Sequence, residues 1–164
     1  MDRPKLIPLP SMKTGNADEK MRQILKDMEL DTLARTIWGE ARGEGVAGME
    51  AVAMVILNRV AVAQRHGGYW WGNSVIDVCR KAYQFSCWNK QDPNLPRLLS
   101  VGKDNLYFVT ATRVAQRALL GFLKDQTKGA THYHERSISP KWAVGQHPCA
   151  VIGRHLFYKL AEDQ

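Results

Sequence analysis

The chain has 164 residues, 45% of them hydrophobic, with 23 basic against 16 acidic side chains and a formal net charge of +7. That length fits one domain with a sizeable core, and the composition excludes a disordered or fibrous chain. The positive field attracts a polyanion, whether peptidoglycan with its peptide carboxylates, teichoic acid, lipopolysaccharide or nucleic acid, and charge alone does not choose among them.

The first twenty residues, MDRPKLIPLPSMKTGNADEK, hold three of the seven prolines and lack the apolar core of a signal peptide. Residues 1–18 read as a flexible arm and residues 19–164 as one domain. No apolar run approaches the ~20 residues that span a bilayer, so no stable membrane insertion is expected.

From Leu33 to Val60 the chain reads LARTIWGEARGEGVAGMEAVAMVILNRV. On a helical period Leu30, Leu33, Ile37 and Ala41 form one apolar stripe, and Glu40 falls at its edge. Arg35 and Arg42 fall on the opposite side and are poorly placed to neutralise it. A carboxyl held against apolar surface without a cation keeps its proton to higher pH, which is the state a general acid needs. Gly39, Gly43, Gly45 and Gly48 surround Glu40 and Glu44. Glycine ends helices and lets a ligand approach the backbone. The following AVAMVIL, Ala51 to Leu57, is apolar on every side and reads as a helix buried all round.

Asn73 or Ser74 caps a helix reaching about Lys81, with Val75, Val78 and Cys79 inward. In YQFSCWN, Gln84, Ser86 and Asn89 alternate with the flat surfaces of Tyr83, Phe85 and Trp88, a mixture suited to sugars, whose rings have apolar faces and polar edges. QDPNLP reads as a loop. A helix from about Asn105 to Leu120 turns Phe108, Thr112, Ala115 and Leu119 to one side, with Gly121 as its stop. In GATHYH an extended backbone points Tyr133 one way and His132 and His134 the other, so Tyr133 or His134 faces the cleft, but not both. Val151-Ile152 and His155 to Tyr158 are β-prone and can pair as strands.

Taken in order, GEARGE, AVAMVILNRV, YQFSCWN, GATHYH and IGRHLFYK resemble the SleB-like cell-wall hydrolase family, which also supplies bacteriophage endolysins. The resemblance spans about Leu33 to Lys159. It implies an α+β, mainly α, lysozyme-like domain with a small β region near the C-terminus. It also implies cleavage of the peptidoglycan glycan strand, with the first glutamate of GEARGE as catalytic acid and base. That role carries over to Glu40 alone. The expected substrate-binding residues are Gln84, Phe85, Ser86, Trp88, Tyr133 and His134, with no cofactor and no metal.

Glu44 stands four residues after Glu40. On a continuous helix the two carboxyls share a face and raise each other's pKa, as a second acid for hydrolysis would require. If Gly43 breaks the helix, Glu44 is instead a structural acid, holding the Gly45 to Gly48 turn or pairing with Arg59. Acting alone, Glu40 suits a lytic transglycosylase that forms 1,6-anhydroMurNAc, whereas a water in place of the sugar hydroxyl gives a muramidase. A zinc amidase built on His132 and His134 with His147 or His155, with Glu40 as base, is a weaker reading. A basic nucleic-acid or virion protein is the non-enzymatic alternative, although the cations are scattered and no recognition-helix pattern stands out.

Cys79, Cys87 and Cys149 are an odd number. Cys79 and Cys87 read either as a disulfide formed after release or, as preferred here, as buried thiols. The expected partner is the peptidoglycan glycan strand rather than nucleic acid, and the expected state is a monomer. Without a recognisable export signal, such an enzyme is expected to be made in the host cytoplasm and to reach the periplasm through a membrane hole at phage lysis.

Overall fold

The structure, a computed structural model, describes residues 14–164. A long helix, α1, runs over Thr14–Ala41. The domain boundary expected after residue 18 therefore falls inside a helix, and residues 1–13 of the expected arm lie outside the described residues. Leu33, Ile37 and Ala41 are buried, as their spacing predicts, and Leu30 packs against the same core. The helix stops at Ala41. Glu44 N donates to the Ala41 carbonyl at 3.0 Å, and Gly45 follows at φ +73°, a conformation costly for a residue with a Cβ.

Next comes α2, Gly45–Arg65, which crosses the core with Met49, Val52, Ala53, Val55, Ile56 and Val62 buried. By length and composition this helix is apolar enough to cross a membrane, contrary to the sequence expectation. More than half of its apolar window is covered within the fold, where it packs on α1 and on the elements described below. Helix α3, Val75–Arg80, is capped by Ser74, whose hydroxyl accepts from Asp77 N at 3.1 Å. A 3₁₀ turn over Ser86–Trp88 brings the YQFS segment back to α1.

The loop expected over QDPNLP ends at Asn94, because α4 forms over Leu95–Ser100. Pro96 lies in its first turn, where a missing N–H removes no helical bond. Helix α5, Leu106–Leu119, has Asn105 as N-cap, buries Phe108, Ala111, Val114, Ala115 and Ala118, and ends at Gly121 with φ +77°. Thr112 and Leu119 stay partly exposed at the margin of that face.

Three short strands close the domain: β1, His132–Glu135; β2, Ala150–Ile152; and β3, His155–Tyr158. They form an antiparallel sheet in the order β1-β3-β2, with Tyr133 opposite Phe157 and Ile152 opposite His155. Ala51 and Val55 of α2 pack against Ala130 and Phe157, anchoring the sheet to the core. The fold is α+β and mainly α with a small sheet near the C-terminus, as the sequence implies.

Candidate active site

Glu40 lies in the last turn of α1, and its position depends on the residue before it. A Cβ built on Gly39 would stand 2.7 Å from Cys87 Cβ and 2.9 Å from its Sγ. Glycine thus lets α1 dock directly on the Ser86–Trp88 turn and brings Glu40 to the YQFS segment. The carboxyl has no salt-bridge partner among the described residues. Arg35 turns to Asp31 and to the Leu98 and Val101 carbonyls, and Arg42 lies over Trp38. Burial raises the pKa of Glu40 above that of an ordinary carboxyl and outweighs the Cys87 amide and thiol and the Tyr133 hydroxyl, which favour its charged form. Its Oε1 is buried and hydrogen-bonds to no group among the described residues.

The cleft beside Glu40 has a volume of about 550 Å³ and brings together Gln84, Phe85, Ser86 and Tyr133 of the expected set. It also takes in Arg59, Trp70, Tyr83, His132, Trp142 and Glu162. Trp70 is 52% exposed and Tyr83 81%, so both offer flat surfaces at the rim. Tyr83 does so from φ +64°, which is rare for a residue with a side chain. Phe85 is buried and forms wall rather than contact surface.

Arg59 ties the walls together. Its buried guanidinium donates from Nε to the Thr131 carbonyl at 2.7 Å and from Nη1 to Gln84 Oε1 at 3.0 Å. It stacks between Trp71 and Phe85 at 4.9 and 5.5 Å. Burial lowers its pKa to about 10, which still leaves it charged at neutral pH. Because Gln84 accepts through its oxygen, its amide N–H groups remain for other acceptors.

Two expected binding residues point elsewhere. Trp88 donates its indole N–H to Thr36 Oγ1 at 3.0 Å and lies under Arg80. His134 stacks on Tyr158 and meets its hydroxyl at 2.9 Å. The strand alternation holds: Tyr133 packs beside His155 and Phe157, while His132 and His134 both face Trp142. His132 nevertheless lines the cleft, because Trp142 folds over its side of the strand. Burial and the nearby Arg59 lower its pKa to about 4 against the pull of Asp163, so it is neutral at neutral pH. Tyr133 is raised well above the ordinary phenol range by burial and by Glu40, and it keeps its proton.

Glu44 does not share a helical face with Glu40, because α1 ends between them. Its Oε1 accepts from Arg154 Nε at 3.0 Å and its Oε2 from the Arg154 amide at 3.2 Å. Burial alone would raise its pKa, but these bonds prevail and hold it below the usual range. The structural partner is thus Arg154, and Arg59, the partner suggested by sequence, is engaged in the cleft. Cys79 and Cys87 are buried free thiols; burial pushes Cys79 up to about 12 and, with Glu40 beside it, raises Cys87 as well. Among the described residues no three metal-ligating side chains converge.

A larger groove of about 670 Å³ runs between α1 and α5, but its acids, Asp27 and Asp31, are exposed. Glu40, whose Oε1 is buried and which has no ion-pair partner among the described residues, is in the cleft of Arg59 and Tyr133. Matching against protein families places residues 43–158, most of the chain, in one of them. The chain belongs to the cell wall hydrolase family. The matched span begins three residues after Glu40 and includes every other cleft residue except Leu160 and Glu162.

Curated relatives agree with that family. Spore cortex-lytic enzymes of Bacillus cereus and of Halalkalibacterium halodurans are each 28% identical over 134 residues, 80% of this chain. The chain spans 44% and 34% of those two proteins, less than half of each. Among solved structures, the catalytic domain of the germination-specific lytic transglycosylase SleB from Bacillus anthracis superposes with a TM-score of 0.61 at 28% identity, covering 80% of this chain and 93% of that one. The catalytic domain of Bacillus cereus SleB gives 0.62 at 28% identity, covering 80% and 89%.

Proposed function

We propose that this cell wall hydrolase cleaves the glycosidic bond between N-acetylmuramic acid and N-acetylglucosamine in peptidoglycan, as a lytic transglycosylase. The observation that carries the proposal is Glu40, a half-buried acid with a buried Oε1, no cation beside it and its pKa raised, at the wall of an aromatic cleft. Protonated Glu40 gives its proton to the glycosidic oxygen as the bond to C1 of the muramic acid breaks. The resulting carboxylate takes the proton of that sugar's C6 hydroxyl, whose oxygen closes a 1,6-anhydro ring on C1. No water enters, and Glu40 ends protonated, ready for the next bond.

Glycosidases that use water ordinarily pair two carboxyls ~5–9.5 Å apart. Glu44 is bound to Arg154 and does not line the cleft. An internal nucleophile removes the need for that second acid, and the structural match to a lytic transglycosylase domain supports the same reading. The one observation in favour of a muramidase is exposed Glu162, a second carboxylate at the cleft. Under that reading Glu162→Gln abolishes cleavage; under ours it does not.

Gln84 and Ser86 are proposed to hold the sugar's polar edges, and Trp70, Tyr83 and Trp142 its ring faces. We further propose an endolysin role, in which a monomer made in the host cytoplasm meets the wall after release at phage lysis; the net charge of +7 suits an anionic wall. Glu40→Gln tests the catalytic reading: purified peptidoglycan should release soluble muropeptides about 10²–10⁴-fold more slowly, the usual worth of a general acid. An undiminished rate would overturn it.

A further inference from the structure

The cleft does not end at Ser86. A small hollow of about 50 Å³ shares Ser86 with the cleft and is walled by Trp38, Gly39, Arg42 and Cys87, with Asp92 at its edge. It shares Trp38 and Arg42 with a groove of about 540 Å³. The charged residues lining that groove are Arg42 and Arg97, and no acid joins them.

The two guanidinium groups are associated with one indole. Arg42 lies 4.4 Å from the Trp38 ring centre and Arg97 6.0 Å from it. Arg42 is fixed by Nη1 bonds to the Trp38 and Gly39 carbonyls at 3.3 and 3.1 Å. Its Nε and Nη2, and the whole Arg97 guanidinium, bond to no side chain among the described residues, and neither arginine forms a salt bridge there. Two acids stand nearby and both are engaged: Asp92 accepts from the Asn94 amide at 2.8 Å, and Glu44, the N-cap residue of α2, is held by Arg154 at 3.0 Å. The first residues of α2, Gly45 and Val46, line the same groove, and no side chain caps that helix.

We propose that this groove is an anion subsite that binds the carboxylates of the peptide carried by the muramic acid. The inference rests on the peptidoglycan reading of the cleft. Arginine forks match carboxylates in two-point contacts, and a fixed guanidinium loses little freedom on binding. Arg42 follows Glu40 by two residues, just past the end of α1, and the hollow at Ser86 joins its groove to the cleft, so a strand held by the groove can run on to the acid. Arg97 extends the contact and, being exposed and unbonded, is the residue to alter without disturbing the fold.

The test compares glycan strands that carry their peptides with strands stripped of them by an amidase. Arg97→Gln should raise KM on peptide-bearing strands about two- to fivefold more than on stripped strands, with kcat held, the scale of one exposed ionic contact. Equal KM changes on both substrates, or none, would overturn the proposal. A second arm needs no catalysis: the Glu40→Gln protein is titrated by NMR with a soluble disaccharide-tripeptide and with the same compound amidated at its carboxyls. Amidation should weaken binding by the same factor, and adding Arg97→Gln should remove that difference. Binding of inorganic phosphate that depends on Arg97, with no response to carboxyl amidation, would overturn the carboxylate assignment. If the unaltered protein cleaves neither strand in a Glu40-dependent way, the glycan-cleavage reading fails, and the titration still decides the groove.

Discussion

Gly39 and Cys87 touch backbone to side chain, with only 2.7 Å between Cys87 Cβ and the position a Cβ on Gly39 would occupy. This contact sets the distance between α1 and the YQFS turn, and so between Glu40 and the opposite wall of the cleft. Gly39→Ala forces the two apart. Overpacking of this kind costs about 1–3 kcal/mol. The expected outcome is a lowered Tm together with a loss of kcat larger than the loss of stability explains, because Glu40 moves with the helix end. Calorimetry and turnover on the same preparation check it.

The raised pKa of Glu40 has consequences for both activity and stability. As general acid it must be protonated, so kcat/KM falls as pH rises through its pKa, at a pH above that of an ordinary carboxyl near 4.5. His132 lines the same cleft but is neutral down to about pH 4. An NMR titration therefore shows no His132 protonation near neutrality, and the alkaline limb belongs to Glu40. For stability, the folded state holds the Glu40 proton more tightly than the unfolded state does. Its contribution is fully present below the unfolded pKa and is lost as pH rises through the folded one. Glu40→Gln removes that loss, so the inactive variant is more stable than the parent at neutral pH, and the gap closes in acid. About 1 kcal/mol of relief corresponds to ~2–4 °C in a chain of this size.

Arg59→Lys tests the strut between the walls. Lysine keeps the charge but cannot serve both the Thr131 carbonyl and Gln84 Oε1 in the fork geometry that Arg59 adopts. Losing one bond to a charged donor costs about 1.5–3 kcal/mol. The expected result is a lower Tm and a raised KM, since Gln84 is no longer oriented. An unchanged KM would show that the Gln84 orientation does not matter for binding.

Glu44→Gln should act on stability and hardly on chemistry. The Glu44 carboxylate is held by Arg154, whose side chain is largely exposed, so the loss is about 0.5–1.5 kcal/mol. Its pKa is lowered, so the stabilisation is present above the unfolded pKa and disappears as pH falls through the folded one. The difference between the variant and the parent in Tm should therefore vanish in acid, with kcat little changed throughout.

Much of this site was legible where local periodicity carried the information. The stripe of Leu33, Ile37 and Ala41 put Glu40 at a buried edge, the all-apolar α2 marked the core, and alternation in β1 separated Tyr133 from His134. Contacts between distant segments were not legible. Glu44 and Arg154 are 110 residues apart, and Arg59 reaches Gln84 and Thr131 across 25 and 72. Trp70, Trp142 and Glu162 come from three separate segments that only the closed fold brings to one cleft. Trp88 sits among cleft residues in sequence, yet the tight turn at Ser86–Trp88 sends its ring back to Thr36.

The most direct test of the central claim is mass spectrometry of the soluble fragments that the unaltered protein and Glu40→Gln release from purified peptidoglycan. Transglycosylation by Glu40 gives 1,6-anhydro-muropeptides from the unaltered protein and essentially none from Glu40→Gln. Fragments heavier by one water would contradict transglycosylation in favour of hydrolysis, and equal release by the two proteins would contradict Glu40 as the acid.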